Sequence, residues 1–231
     1  MIISHKYRFI FIKTAKTAGS SLEVFLSGVC GPGDTVTPLT PAEEGHTPRN
    51  WRGLWNPLRE LRETDGSRLW GNFRRGIRFY SHLPAVNARC RMKREIWDSY
   101  FKFCVERNPF DKALSHYWME RSREGNRDLT FDDYLDSGKL RSCGYIYRGA
   151  DGRILVDRVL RYERLNAELQ EVFDQLGVPF DGVLRPRAKG NLRADRRPCA
   201  EVYTPRQEEI VRRVFRREFE DFGYALRPPG A

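Results

Sequence analysis

Residues 11 to 25, FIKTAKTAGSSLEVF, set a lysine, small residues and two adjacent serines between a β-like apolar run and a run with helical apolar spacing. A glycine-containing loop that closes a strand and opens a helix presents backbone N–H groups at the positive end of the helix dipole, which suits phosphate-like anions. In KTAGSS, Lys16 adds a point charge and Thr17, Ser20 and Ser21 add hydroxyl donors, while Ala18 and Gly19 let an anion approach the backbone closely. The same letters spell a capping box, Ser20-x-x-Glu23, at an ordinary helix start, so the loop alone leaves two readings open. The nucleoside triphosphate loop G-x-x-x-x-G-K-[ST] is not matched, because here the lysine precedes the glycine.

A second stretch, VERNPFDKALSHYW at 105 to 118, puts Arg107 at the end of an apolar strand and Ser115 about two turns into the next helix. A guanidinium fork donates two parallel hydrogen bonds to an anion and a serine hydroxyl a third, although a surface ion pair is the commoner fate of an arginine. His82, in FYSHLPA at an expected strand end, is the candidate base, since a histidine with a pKa near 6.5 takes a proton at neutral pH. Its alternative is a histidine packed at a strand terminus. His5, His46 and His116 lack comparable surroundings, though His116 adjoins Ser115.

The elements that must position these groups follow from pattern. YRFIFI at 7 to 12 reads as a strand and SSLEVFLSGV at 20 to 29 as a helix stopped at Gly31. Residues 31 to 66 show no sustained period and read as an irregular excursion with short helical turns at most. GIRFYSHLP at 76 to 84 is a second expected strand, ending at His82; 99 to 110 is a third, breaking into a helix at Asn108 and Pro109; 151 to 165 holds a fourth. A helix then ends at Gly177, and a last long helix over about 205 to 221 opens with Thr204 and Pro205, packed by Ile210, Val214, Phe215 and Phe219. Strands alternating with helices predict an α/β fold: one domain over 1–231, a central parallel sheet flanked by helices, and ligands at the carboxyl ends of the strands.

Forty-one Lys and Arg against 31 Asp and Glu give a net charge of +10, which favours anionic partners or reflects an arginine-rich composition without one target. Five scattered cysteines without C-x-x-C spacing suggest neither a disulfide framework nor a zinc site, and a reducing cytosol fits them. No apolar run approaches the roughly 20 residues of a spanning helix and the start shows no signal-peptide pattern, so a cytoplasmic protein without a transmembrane segment is expected.

KTAGSS and RNPFDKALS together resemble the two cofactor loops of sulfotransferases that use 3'-phosphoadenosine 5'-phosphosulfate (PAPS). VDRVLRYERL, FDQLGVP, KGNLR and the terminal YTPRQEEIVRRVFRREFEDFGYAL are similar, in matching order, to segments of the carbohydrate branch that includes heparan sulfate 2-O-sulfotransferases and many bacterial proteins. Ala15 departs from the pattern, standing where a proline usually precedes the lysine. The resemblance implies the P-loop nucleotide-kinase-like sulfotransferase fold, with Lys16, Thr17, Ala18, Gly19, Ser20 and Ser21 holding the 5'-phosphosulfate and Arg107 and Ser115 the 3'-phosphate. In RPRAKGNLR, Lys189, Gly190 and Asn191 would close over the nucleotide, or this stretch is a solvated basic loop.

On that resemblance the chain moves a sulfuryl group to an acceptor hydroxyl, a carbohydrate or glycolipid that could itself be anionic, releasing PAP and requiring no metal. His82 is the catalytic base and Lys16 offsets charge on the departing oxygen, while a carboxylate base, as in some relatives, stays open. The excursion, at about 31–75, would help shape the acceptor cleft. Two rivals remain. A P-loop-like nucleotide or sugar kinase would need a Walker lysine and a magnesium-binding carboxylate. A basic nucleic-acid-binding module would use Trp51, Trp55, Trp70 and Phe73 among the arginines of 49 to 78. Nucleic acid is not the expected partner, and the sequence leaves the oligomeric state open.

Overall fold

The computed structural model describes residues 1–63, 66–185, 195 and 197–230. In chain order the elements are β1 (Ile2–Ser4), β2 (Phe9–Phe11), α1 (Gly19–Val29), β3 (Thr35–Val36), a 3-10 turn (Pro57–Glu60), α2 (Gly66–Arg74), α3 (Ala85–Arg91), α4 (Arg94–Ser99) and β4 (Phe101–Glu106). Then come α5 (Pro109–Arg121), α6 (Phe131–Asp136), β5 (Arg158–Arg161), α7 (Leu165–Leu176), α8 (Cys199–Val202), α9 (Pro205–Val214) and α10 (Arg216–Phe222). The chain divides into two compact units, one made of Met1–Glu106 with Tyr145–Ala188 and the other of Arg107–Gly144 with Lys189–Ala231.

The first unit is an α/β body around a five-stranded sheet of order β3-β1-β2-β4-β5. β2, β4 and β5 are mutually parallel, with Phe9 opposite Phe101 and Cys104 opposite Val159, whereas β1 runs antiparallel to both β2 and β3. The sheet is therefore mixed: the parallel sheet expected is present in β2, β4 and β5, and β1 departs from it. The cause is the link between β1 and β2: His5 to Arg8 make a tight turn, far too short for a parallel crossover. Asp34 holds that turn by accepting from the backbone N–H of His5 (2.6 Å) and from the Ser4 hydroxyl (2.9 Å).

Alternate strand residues Phe9, Phe11, Phe103 and Val105 face Leu22 and Leu26 of α1 and Leu169, Val172 and Phe173 of α7, all buried in one core. Ile10 and Cys104, pointing the opposite way, are equally buried. Covering both faces is what lets FIFI read as a continuous apolar run.

The second unit is helical. Phe110, Leu114, Tyr117, Tyr134, Val211 and Phe215 build its core, and the Tyr203 hydroxyl donates to the Phe110 carbonyl at 2.7 Å. Thr204 and Gln207 form the capping box that opens α9. The expected last helix is interrupted at Phe215, whose φ of −107° and ψ of 24° separate α9 from α10.

Several expectations hold. Asn108 caps α5 through its side chain with Pro109 in the first turn, and Gly177 ends α7 with a φ of 68° that suits glycine. The strand expected over 76–84 does not form. Ile77 makes an isolated antiparallel bridge to Arg52 and the Phe79 N–H donates to the Trp51 carbonyl at 2.9 Å. The excursion, not the sheet, thus satisfies this aromatic run. Among the described residues no helix is long and apolar enough to cross a membrane.

Candidate functional site

The loop after β2 lies where the sheet leads a ligand to be sought, beyond the carboxyl ends of β2 and β4. Its root is fixed across the sheet. The Ile12 N–H donates to the Phe103 carbonyl at 2.9 Å, and the Thr14 hydroxyl donates to the carbonyl of Val105. The Thr14 and Thr17 hydroxyl oxygens lie 2.8 Å apart, so buried Thr17 braces the loop from inside.

Lys16 and Ala18 both have left-handed backbones, with φ of 63° and 58°. Each such non-glycine residue costs about 1–2 kcal/mol and persists only where its surroundings impose it. Ala18 occupies the N-cap of α1 and supplies no side-chain cap, so the Ser20–Glu23 capping box is not formed.

Glu23 is instead fully buried, accepting from Lys13 Nζ at 2.6 Å, and from the Met1 amine and the Thr37 hydroxyl on its other oxygen. Lys13 Nζ also donates to Ser20 Oγ at 3.2 Å, which occupies an acceptor site on that hydroxyl and leaves its own proton to be donated. The Lys13 stem crosses Gly19 so closely that a Cβ there would stand 2.8 Å from its Cγ, so the glycine accommodates a lysine rather than bare backbone. Lys13 is the residue that sequence reasoning missed. Its signal is a lysine at the end of an apolar strand ten residues before a helical glutamate, masked because Ser20-x-x-Glu23 also spells a capping box.

His82 comes to this loop from a distant part of the first unit. Its Nδ1 lies 3.2 Å from the Lys13 backbone carbonyl, and its φ is 62°. A carbonyl only accepts, so Nδ1 carries the hydrogen in this contact, which brings the imidazole beside the loop with the anion-binding composition. Ser21 of the same loop is buried in the first turn of α1.

Arg107 and Ser115 belong to the second unit. Arg107 directly precedes the α5 cap and is mostly buried, with its guanidinium 3.9 Å from the Asp111 carboxylate, the outer limit of an ion pair. Asp111 also accepts from the Cys199 thiol at 3.1 Å. Ser115 is half-buried in the second turn of α5, and the His116 beside it sits 2.6 Å from the Tyr134 hydroxyl. Burial, then Glu120 and Cys143, push that phenol's pKa well up, so Tyr134 stays protonated. Lys189, Gly190 and Asn191 lie outside the described residues.

The other candidates are occupied elsewhere. His5 pairs with the Tyr100 hydroxyl at 2.8 Å. Burial, then the positive charges of the chain-start amine, Lys13 and Arg49, lower His46 to about 4. All five cysteines are free thiols, and burial followed by Asp34 pushes Cys30 up to about 12, far from a reactive thiolate.

No protein-family profile matches the chain, and no solved structure matches it. An uncharacterized protein of the archaeon Archaeoglobus fulgidus is 28% identical over 101 residues, spanning 42% of this chain and 84% of that protein.

Proposed function

We propose that this chain is a PAPS-dependent sulfotransferase that transfers a sulfuryl group to a hydroxyl of a carbohydrate or glycolipid, in the nucleotide-kinase-like fold that the motifs imply. The observation that carries the reading is the contact of His82 Nδ1 with the Lys13 carbonyl, which brings the imidazole assigned as base to the anion-type loop. The loop fits an anion chemically: an uncapped helix start, left-handed backbone at Lys16 and Ala18, and a Ser20 hydroxyl that accepts from Lys13 and keeps its own proton to donate.

PAPS would bring the activated sulfuryl group and depart as PAP. The residues assigned to its 5'-phosphosulfate are Lys16, Thr17, Ala18, Gly19, Ser20 and Ser21, with Arg107 and Ser115 assigned to its 3'-phosphate. Buried Thr17 and Ser21 contribute by holding the loop's shape and through their backbone. His82 takes the acceptor's proton at Nε2, and Lys16 counters negative charge on the departing oxygen. Neither step calls for a metal.

Thermal unfolding with PAP, with AMP and ADP as controls and with magnesium present or absent, tests this. A ligand at 100 times its Kd stabilises by about 2.7 kcal/mol, a visible shift in melting temperature. Stabilisation specific to the 3'-phosphorylated nucleotide and indifferent to magnesium is expected. No shift, or one that favours ADP with magnesium, overturns the reading.

A further inference from the structure

We propose that the segment from Arg52 to Arg75, in the first unit, is a docking surface for an anionic lipid membrane. The inference is independent of the reaction proposed above. Eight large apolar side chains are exposed among the described residues, and four of them fall within this segment: Leu54 (78% exposed), Leu58 (63%), Leu61 (48%) and Trp70 (42%). Half of these exposed apolar side chains thus fall on one stretch of the sequence, where single scatter is the usual pattern.

The leucines stand on a rigid base. The 3-10 turn is capped by the Asn56 side chain, which accepts from the Leu58 N–H at 3.0 Å. Glu60, on the turn's inner side, is fully buried against Arg91 at 2.6 Å and Asn87 at 2.9 Å, fastening the turn to α3. Three residues per 3-10 turn put Leu58 and Leu61 on one outward face. The next helix, α2, is joined to this base by Phe73, whose ring lies edge-on to Trp55 at 5.5 Å, with Trp70 of the same helix edge-on to Phe73 at 5.9 Å. Leu69 and Asn72 are buried, while Trp70 and Arg74, one turn apart, share the exposed face.

Charge decides what covers this face. Arg52, Arg59, Arg62, Arg68, Arg74 and Arg75 are all exposed. Against them the segment sets Glu60, already neutralised by Arg91, with Glu63 and Asp65. Exposed leucines and one tryptophan amid excess arginine match an anionic interface, where apolar side chains enter the acyl boundary and arginines meet head groups. Single-stranded nucleic acid would need open aromatic faces for stacking. Trp55 is instead buried under the Arg91 guanidinium, 4.5 Å away, and Phe73 lies between two indoles.

The test is co-sedimentation of the full chain with vesicles of phosphatidylcholine alone and with vesicles that are about one-third phosphatidylglycerol. Binding to the anionic vesicles only, weakened by salt, is expected. Joint replacement of Leu58→Ser, Leu61→Ser and Trp70→Ser should lower vesicle affinity at least about tenfold, as loss of buried apolar area implies, with the melting temperature unchanged. Arg59→Gln with Arg62→Gln should weaken it independently. Absence of binding to anionic vesicles, or binding that survives the leucine and tryptophan changes, overturns the proposal; so does equal affinity for poly(U) RNA that those changes leave intact.

Discussion

Glu23 shows how one side chain organises a site without touching a ligand. It takes charge from Lys13 and the Met1 amine, and through Lys13 fixes the Ser20 hydroxyl. Removing one partner of a buried ion pair leaves the other uncompensated, at a cost of about 3–5 kcal/mol. Glu23→Ala is therefore expected to lower the stability measured by urea unfolding by that order; a change below about 1 kcal/mol would show the network to be dispensable. His82 should separate binding from chemistry. His82→Ala is expected to keep PAP affinity within about twofold while turnover falls roughly 10² or more, and an unchanged kcat would remove His82 from the base role.

At the scale of elements, the β4–α5 junction was legible because Asn108 and Pro109 act through covalent geometry and local capping that no tertiary contact overrides. The same holds for Gly177 and for Thr204 with Pro205. Thr204→Ala should cost roughly 1 kcal/mol, read as a lowered urea midpoint with unchanged m-value; an unaltered midpoint would mean that Pro205 alone sets the start of α9. What failed to be legible depended on partners distant in sequence. The run at 76–84 has strand composition, yet its hydrogen bonds to the excursion are with Trp51 and Gly53, so no local pattern could exclude it from the sheet. β1 escaped notice because a three-residue strand shows no period. Of the site, loop composition and His82 were readable, whereas the inward turn of Glu23 toward Lys13 was not, since S-x-x-E has two physical uses and burial chooses between them.

For the whole molecule, pH dependence follows from a histidine outside the proposed chemistry. His46 titrates at about 4 in the folded chain against an ordinary 6.5, because burial and neighbouring positive charge disfavour its cation. As pH falls through that window the unfolded chain takes up a proton that the folded chain refuses, so stability declines between the two values and levels off below about 4. His46→Gln should flatten the melting temperature over this range relative to the parent chain, and parallel curves for the two would rule His46 out as the cause. If both the lipid surface and the transferase activity hold, a glycolipid acceptor fits better than a soluble sugar, because the enzyme would then work at the interface that displays it.

The mixed sheet also sets an order of events. β1 meets β2 across a tight turn, Ile2 against Phe11, and such local pairing closes early at little entropic cost. β4 must find β2 with Phe9 against Phe101, and β5 with Phe103 against Arg158, closures that topology makes slow. The anion-type loop hangs on β2 but is tied by Thr14 to Val105 of β4. Its geometry therefore depends on β4 lying in place beside β2.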